Sequence, residues 1–233
     1  MPAPAAAGIH ERKLLSLTAA VEKRLLVWTA RRLPAFVTSD RLSALALIGM
    51  AAAGLSFAAM RISRWGALGV VVFLTVNWFG DSLDGTLARV RHEERPRYGF
   101  YVDHVIDVAG IALLLGGLAC SGLTHPTLAV ALLAGYLLVA AESFLATHAA
   151  GVFRMSFLGF GPTELRILLA VGTVRAAWDP VATIVGTHTL RLFDLGGMIA
   201  LAGLLVTFVV SAARNGRALY LAEPLPARLS PEL

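Results

Sequence analysis

The sequence predicts an all-α integral membrane protein: six transmembrane helices preceded by an N-terminal amphipathic interfacial helix. Three observations predict it. The 233 residues are 57% hydrophobic and only 15% charged, with a mean hydropathy of +0.73, the composition of a polytopic helical membrane protein with one membrane domain. The apolar residues form runs of spanning length separated by charged or proline-containing breaks. The basic residues, nearly all arginine, are spread unevenly between alternate connections. The net charge of +5 then reflects topology and contact with anionic headgroups. No basic cluster with interleaved aromatics marks a nucleic-acid site. The single cysteine, Cys120, excludes an intrachain disulfide and a cysteine zinc cluster.

Residues 1–33 are expected to form a tail and a juxtamembrane helix. From Glu11 to Arg32, Leu14, Leu17, Val21, Leu25 and Trp28 recur at spacings of three and four, with most charges on other faces. Such a helix lies flat on the membrane with Trp28 at the interface. No cleavable signal peptide is expected, since the first 33 residues carry many charges and the first long apolar run begins near Leu42. Pro34 ends this helix, and Thr38, Ser39 and Asp40 offer caps for the next.

Residues 34–213 are expected to be the six-helix transmembrane domain. The spans run from Leu42 to Met60, Trp65 to Arg89, Tyr98 to Cys120, Leu128 to Ala150, Thr163 to Ala177 and Leu192 to Ala212. His125-Pro126 marks a turn, Pro162 a helix start, and Asp179-Pro180 a break. Residues 214–233 form a proline-containing C-terminal tail, expected to be loose. The basic residues favour the side holding both termini and the 91–97 loop. Both termini are therefore expected in the cytoplasm, with the protein in the cell inner membrane.

Ionisable residues inside spans mark functional sites. Asp81, Asp84, Asp103 and Asp107 lie within 27 residues, in or at the edge of two spans. On a helix, Asn77, Asp81, Asp84 and Ala88 share one face, and Gly99, Asp103 and Asp107 make a second stripe. The nine residues from Val90 to Tyr98 are rich in charge and read as a solvated hairpin loop. Two antiparallel helices would then bring four carboxylates together near one membrane surface. Such a cluster repels itself in a low dielectric unless a cation neutralises it. Oxygen-only ligands favour a hard cation, Mg2+ or Mn2+, one ion or two. Gly85, Ala88 and Gly99 leave room for a bulky ligand, and Arg89 supplies a charge for phosphate.

The run Asp81-x2-Asp84-Gly85-x2-Ala88-Arg89-x9-Gly99-x3-Asp103-x3-Asp107 resembles the signature of the CDP-alcohol phosphotransferases, which make phospholipids. All eight signature residues are present at the family's spacing. The resemblance implies transfer from a CDP-alcohol to an alcohol acceptor with release of CMP. It implies a general base at Asp107 and metal ligands at Asp81, Asp84 and Asp103, with Asp107 contributing when two ions bind. It implies nucleotide or phosphate contacts at Gly85, Ala88, Arg89 and Gly99, and it suggests a homodimer.

Outside the signature, Asn77 extends the acidic face and suits water or ribose. Glu142 lies inside the fourth span, where it suits either a site or a hydrogen bond to another helix. His148 suits the acceptor side or an interfacial role. Arg154 and Arg166 suit an acceptor phosphate, a lipid headgroup or topology anchoring. Gly161-Pro162-Thr163-Glu164 presents a helix N-terminus suited to phosphate or to a capped turn. It is similar to a segment of the choline/ethanolamine phosphotransferase branch, although the spacing from Glu142 to His148 is longer here.

The leading reading takes CDP-diacylglycerol as donor to a small polar alcohol. The alternative transfers from a soluble CDP-choline- or CDP-ethanolamine-type donor to diacylglycerol. An intramembrane prenyltransferase is disfavoured because its aspartate pairs lie far apart. A divalent-cation transporter is disfavoured because the other spans carry no continuous polar path.

Overall fold

In the computed structural model, residues 19–150, 162–185 and 188–223 are described. Among the described residues seven helices follow in order: α1 (Ala19–Ala30), α2 (Ser39–Ala59), α3 (Gly66–Arg91), α4 (Pro96–Ser121), α5 (Pro126–Ala150), α6 (Pro162–Trp178) and α7 (Leu192–Ala222). The protein is thus an almost entirely helical membrane protein. Among the described residues five helices, α2, α3, α4, α5 and α7, are long and apolar enough to cross a bilayer. The expected fifth span is α6, which has only 17 residues and carries Glu164, Arg166 and Arg175. At ~1.5 Å per residue it reaches about 25 Å, short of a hydrocarbon core of ~30 Å.

The helix starts follow local chemistry. Thr38 is extended, and its hydroxyl accepts a hydrogen bond from Arg41 N at 3.3 Å, which opens α2. Pro96 occupies the first turn of α4, where its missing N–H has no cost. The connection between α3 and α4 is shorter than expected. Helix α3 continues to Arg91, and α4 begins at Pro96. His92 closes α3 in the left-handed region (φ 58), and the Glu93 amide returns to Ala88 O at 2.9 Å. The basic residues of this turn are tied down. Arg91 donates to the carbonyls of Leu33, Pro34 and Val37. Arg95 pairs with Asp40 at 2.8 Å.

Two regions depart from expectation. A two-stranded antiparallel hairpin, β1 (Val181–Val185) and β2 (His188–Arg191), joins α6 to α7, with Val181 opposite Arg191. Val181, Thr183, Ile184, Val185 and Thr189 give it a β-branched run. At its base Arg175 donates to the Asp179 carboxylate at 2.7 Å, which holds that carboxyl below the usual range. Helix α7 runs on to Ala222, so residues 214–222 continue the last helix and are not a loose tail.

The core sits where α2, α3 and α4 meet. Ala53, Phe57, Val70, Leu74, Leu114 and Leu118 form it, and Phe193 of α7 meets Phe57 edge-on at 5.9 Å. Gly54 and Gly117 set the α2–α4 crossing: a Cβ on Gly117 would overlap the backbone of Gly54. A close crossing of this kind is how membrane helices gain packing without a hydrophobic driving force. A second cluster, Ala30, Leu42, Leu83 and Leu87, seats α1 against α2 and α3 with Leu26 and Leu33 beside it. The expected stripe residues Leu25 and Trp28 point away and are more than half exposed.

Candidate active site

The two acidic stripes meet as their spacing predicts. One carboxylate oxygen from each of Asp81, Asp103 and Asp107 lies within 4.8 Å of the other two. Helix α3 supplies the first and α4 the other two. Asp84 lines the same pocket, together with Asn77, Ser43, Ala46, Met50, Ile106 and Arg166. Its Oδ2 accepts from Ser43 Oγ at 2.6 Å, and Ser39 Oγ donates to its main-chain carbonyl at 2.9 Å. The pocket floor is therefore α3 and α4, with α2 closing one side.

Helix α6 closes another. Arg166 Nη2 donates to Asp81 Oδ2 at 2.7 Å, and Arg166 Nε donates to Asn77 Oδ1 at 2.8 Å. Asn77 is buried and donates its Nδ2 to Ala46 O at 3.0 Å. The guanidinium is thus a counter-ion placed inside the acidic pocket, and Asn77 is its anchor. Of the residues suggested for an acceptor or secondary site, the structure brings Asn77 and Arg166 to the aspartates.

Others lie apart. Glu142 accepts from Asn215 Nδ2 at 2.7 Å, a hydrogen bond between α5 and α7. His148 is exposed near the end of α5. Neither lines the pocket. Glu164 is in the first turn of α6, two residues before Arg166. Arg154 lies outside the described residues. Asp194 takes hydrogen bonds from Thr124 Oγ1 and His125 N, both at 2.7 Å, and ties the α4–α5 turn to α7.

The signature's small residues border open space. A Cβ on Gly99 would meet nothing within 4 Å. A Cβ on Gly85 would meet only the Arg89 side chain, at 3.5 Å. Ala88 is partly exposed. Arg89 is exposed and reaches back to Thr86 Oγ1 at 3.3 Å. His104 stacks on Phe100 at 4.1 Å and faces Phe144 at 5.1 Å, off the acidic stripe.

Two contributors escaped sequence reasoning. Ser43 is an ordinary small residue in an apolar helix until its contact with Asp84 is seen. Glu22 of α1 accepts from Trp78 Nε1 at 2.9 Å and from Thr163 Oγ1 at 3.3 Å, and so joins α1 to α3 and α6. Only its unusual position as an acid in a basic helix could have flagged it.

The donor set is all oxygen, carboxylate-rich and gathered from two helices. It fits a hard divalent cation and suits no soft metal.

Comparison with known proteins agrees with this geometry. The sequence matches the family model of the CDP-alcohol phosphatidyltransferases over residues 32–209. No curated protein matches it. Among solved structures, the fold is similar to the crystal structure of Mycobacterium tuberculosis phosphatidylinositol phosphate synthase (PgsA1) with CDP-DAG bound. The TM-score is 0.57 at 18% identity, covering 84% of this chain and 94% of that one. The signature, the carboxylate cluster it builds and the family match over most of the membrane domain lead to one assignment: the chain belongs to the CDP-alcohol phosphatidyltransferase family, enzymes of phospholipid synthesis.

Proposed function

We propose that the protein transfers a phosphatidyl group from CDP-diacylglycerol to the hydroxyl of a small polar alcohol and releases CMP. The observation that carries this reading is the meeting of Asp81, Asp103 and Asp107 within 4.8 Å, in a pocket that Asp84 also lines. Asp81, Asp84 and Asp103 would hold Mg2+ or Mn2+, and Asp107 would share in holding a second ion. A bound ion supplies neutralising charge for a pyrophosphate and for the CMP that leaves.

The residues of the chain do the rest. Asp107 takes the proton from the acceptor hydroxyl. The acceptor oxygen then bonds to the β-phosphorus, and the bond from that phosphorus to the bridging oxygen breaks. Arg166 holds the Asp81 carboxylate in one orientation, and Ser43 does the same for Asp84. Gly85, Ala88 and Gly99 leave space for the nucleotide, with Arg89 at its edge for phosphate. The similar protein that was crystallised with CDP-DAG bound supports the lipid donor. So does the placement of Glu142 and His148, which the soluble-donor alternative would draw on, away from the pocket.

Helix α6 runs from Asp81, where Arg166 meets it, to Arg64 at the α2–α3 turn, where Trp178 lies, and would be a short sixth crossing; both termini and the site would then face the cytoplasm of the inner membrane, where CDP-linked substrates and Mg2+ are found. The protein would work as a homodimer.

The test is CMP release by purified protein with Mg2+ or Mn2+. CDP-diacylglycerol is set against CDP-choline and CDP-ethanolamine, each with a panel of acceptors. Acceptor-dependent release from CDP-diacylglycerol, lost in Asp107→Asn, is the expected result. Release only from a soluble donor with diacylglycerol would replace this reading with the alternative.

A further inference from the structure

Helix α1 has two faces with opposite commitments. On the inner face, Glu22 is bonded to Trp78 and Thr163, while Leu26 and Ala30 pack towards Leu42, Leu83 and Leu87. These contacts stop the helix from rolling, so the direction of its outer face is set. On that outer face Lys23, Arg24, Arg31 and Arg32 are exposed around a shallow depression that Val27 and Trp28 also line. The Arg32 guanidinium lies 4.0 Å over the Trp28 ring. Trp28 and Leu25 are 56% and 54% exposed. From residue 19 to residue 32, Glu22 is the one acid, and it is turned inward.

We propose that this outer face is a docking site for the headgroups of anionic phospholipids in the bilayer. Four cations with no acid among them call for a polyanionic partner. The exposed tryptophan and leucine between them call for one that also offers an apolar boundary. A charged lipid surface has both features, and α1 packs against the ends of α2 and α3 that carry Leu42, Leu83 and the aspartates. A soluble polyanion would satisfy the arginines but leave Leu25 and Trp28 in water. This site is separate from the pocket of Asp81, Asp103 and Asp107, and it stands whether or not the proposed reaction is correct.

The test reads lipid contact directly. Full-length protein is reconstituted into phosphatidylcholine vesicles containing equal mole fractions of either brominated phosphatidylcholine or brominated phosphatidylglycerol. The contribution of Trp28 to tryptophan quenching is obtained as the difference between wild type and Trp28→Phe. Attraction of each basic side chain to an anionic surface predicts that the phosphatidylglycerol probe quenches Trp28 about twofold or more above the phosphatidylcholine probe. Salt at about 0.5 M should remove the excess, because the Debye length falls to ~4 Å. The variant K23Q/R24Q/R31Q/R32Q should lose the excess, and K23R/R24K/R31K/R32K should keep it. Equal quenching by the two probes in wild type would overturn the proposal, as would an excess that survives salt. These two results need only the conservative Trp28→Phe reference, so a glutamine variant that fails to fold leaves the decision intact. CMP release plays no part in this readout, which separates its failure from that of the proposed reaction.

Discussion

Arg166 on α6 and Asp81 on α3 meet at 2.7 Å across 85 positions of sequence. The same guanidinium reaches Asn77, one helical turn before Asp81. Arg166 therefore ties α6 to α3 at the acidic pocket and sets the orientation of one carboxylate. Groups in such contact are not independent. In a double-mutant cycle, Arg166→Gln and Asp81→Asn should couple by about 1–3 kcal/mol in unfolding free energy. Arg166→Lys should also lower CMP release, by roughly tenfold or more, because an ammonium cannot serve Nε and Nη2 contacts at once. Additive losses in the cycle would show that the pair carries no shared function.

Ser43 tests the second orientation device. Ser43→Ala removes the hydroxyl 2.6 Å from Asp84 Oδ2 and leaves no bulk behind. Loss of a hydrogen bond to a charged group costs about 1.5–3 kcal/mol, so CMP release should fall by roughly ten- to a hundredfold if the bond tightens towards the transition state. Ser43→Thr should keep most of it. Wild-type turnover in Ser43→Ala would reduce this contact to packing.

Two glycines on α4 separate space for the fold from space for a ligand. Gly117→Ala drives a methyl into the Gly54 backbone and should destabilise the protein by about 1–3 kcal/mol or more. Gly99→Ala meets nothing within 4 Å and should leave the Tm unchanged. If Gly99 borders the nucleotide, the same methyl should raise KM for the CDP-alcohol. Thermal unfolding and steady-state kinetics on both variants check this, and an unchanged KM in Gly99→Ala would remove Gly99 from the nucleotide contacts.

Glu142 should prove structural. Glu142→Gln keeps an oxygen able to accept from Asn215 Nδ2 and should retain both stability and CMP release. Glu142→Ala should cost about 1–3 kcal/mol in stability, the penalty for stranding a polar partner, with turnover per folded molecule unchanged. A selective loss of turnover in Glu142→Gln would return this residue to the site.

The candidate site was legible where its residues share a helix. Asp81 and Asp84, or Asp103 and Asp107, fall on one face by arithmetic alone, and a short connection forces the two faces together. Arg166 and Ser43 act across 41 to 89 positions, and no local period encodes a partner that distant. Arg166 could be named as a phosphate binder, but its partner Asp81 could not. For the fold, Thr38 announced its helix and Pro162 another. The hairpin after Asp179 was hidden because its β-branched residues also suit an apolar membrane segment, and pairing of β1 with β2 is a tertiary choice. Glu22 was not singled out among the charges of α1, because the donors that draw it inward, Trp78 Nε1 and Thr163 Oγ1, lie 56 and 141 positions away.

The connection closed by His92 acts as a ruler. Both helix ends are fixed within a few residues of it, by the left-handed stop of α3 and by Pro96. Adding or removing one residue there would turn α4 by about 100° relative to α3. Asp103 and Asp107 would swing away from Asp81 although every side chain of the signature remained present. The gap of nine positions in the signature is on this account first a length: its count sets where Asp103 and Asp107 point, and Arg91, Arg95 and Pro96 within it hold the turn that keeps that count.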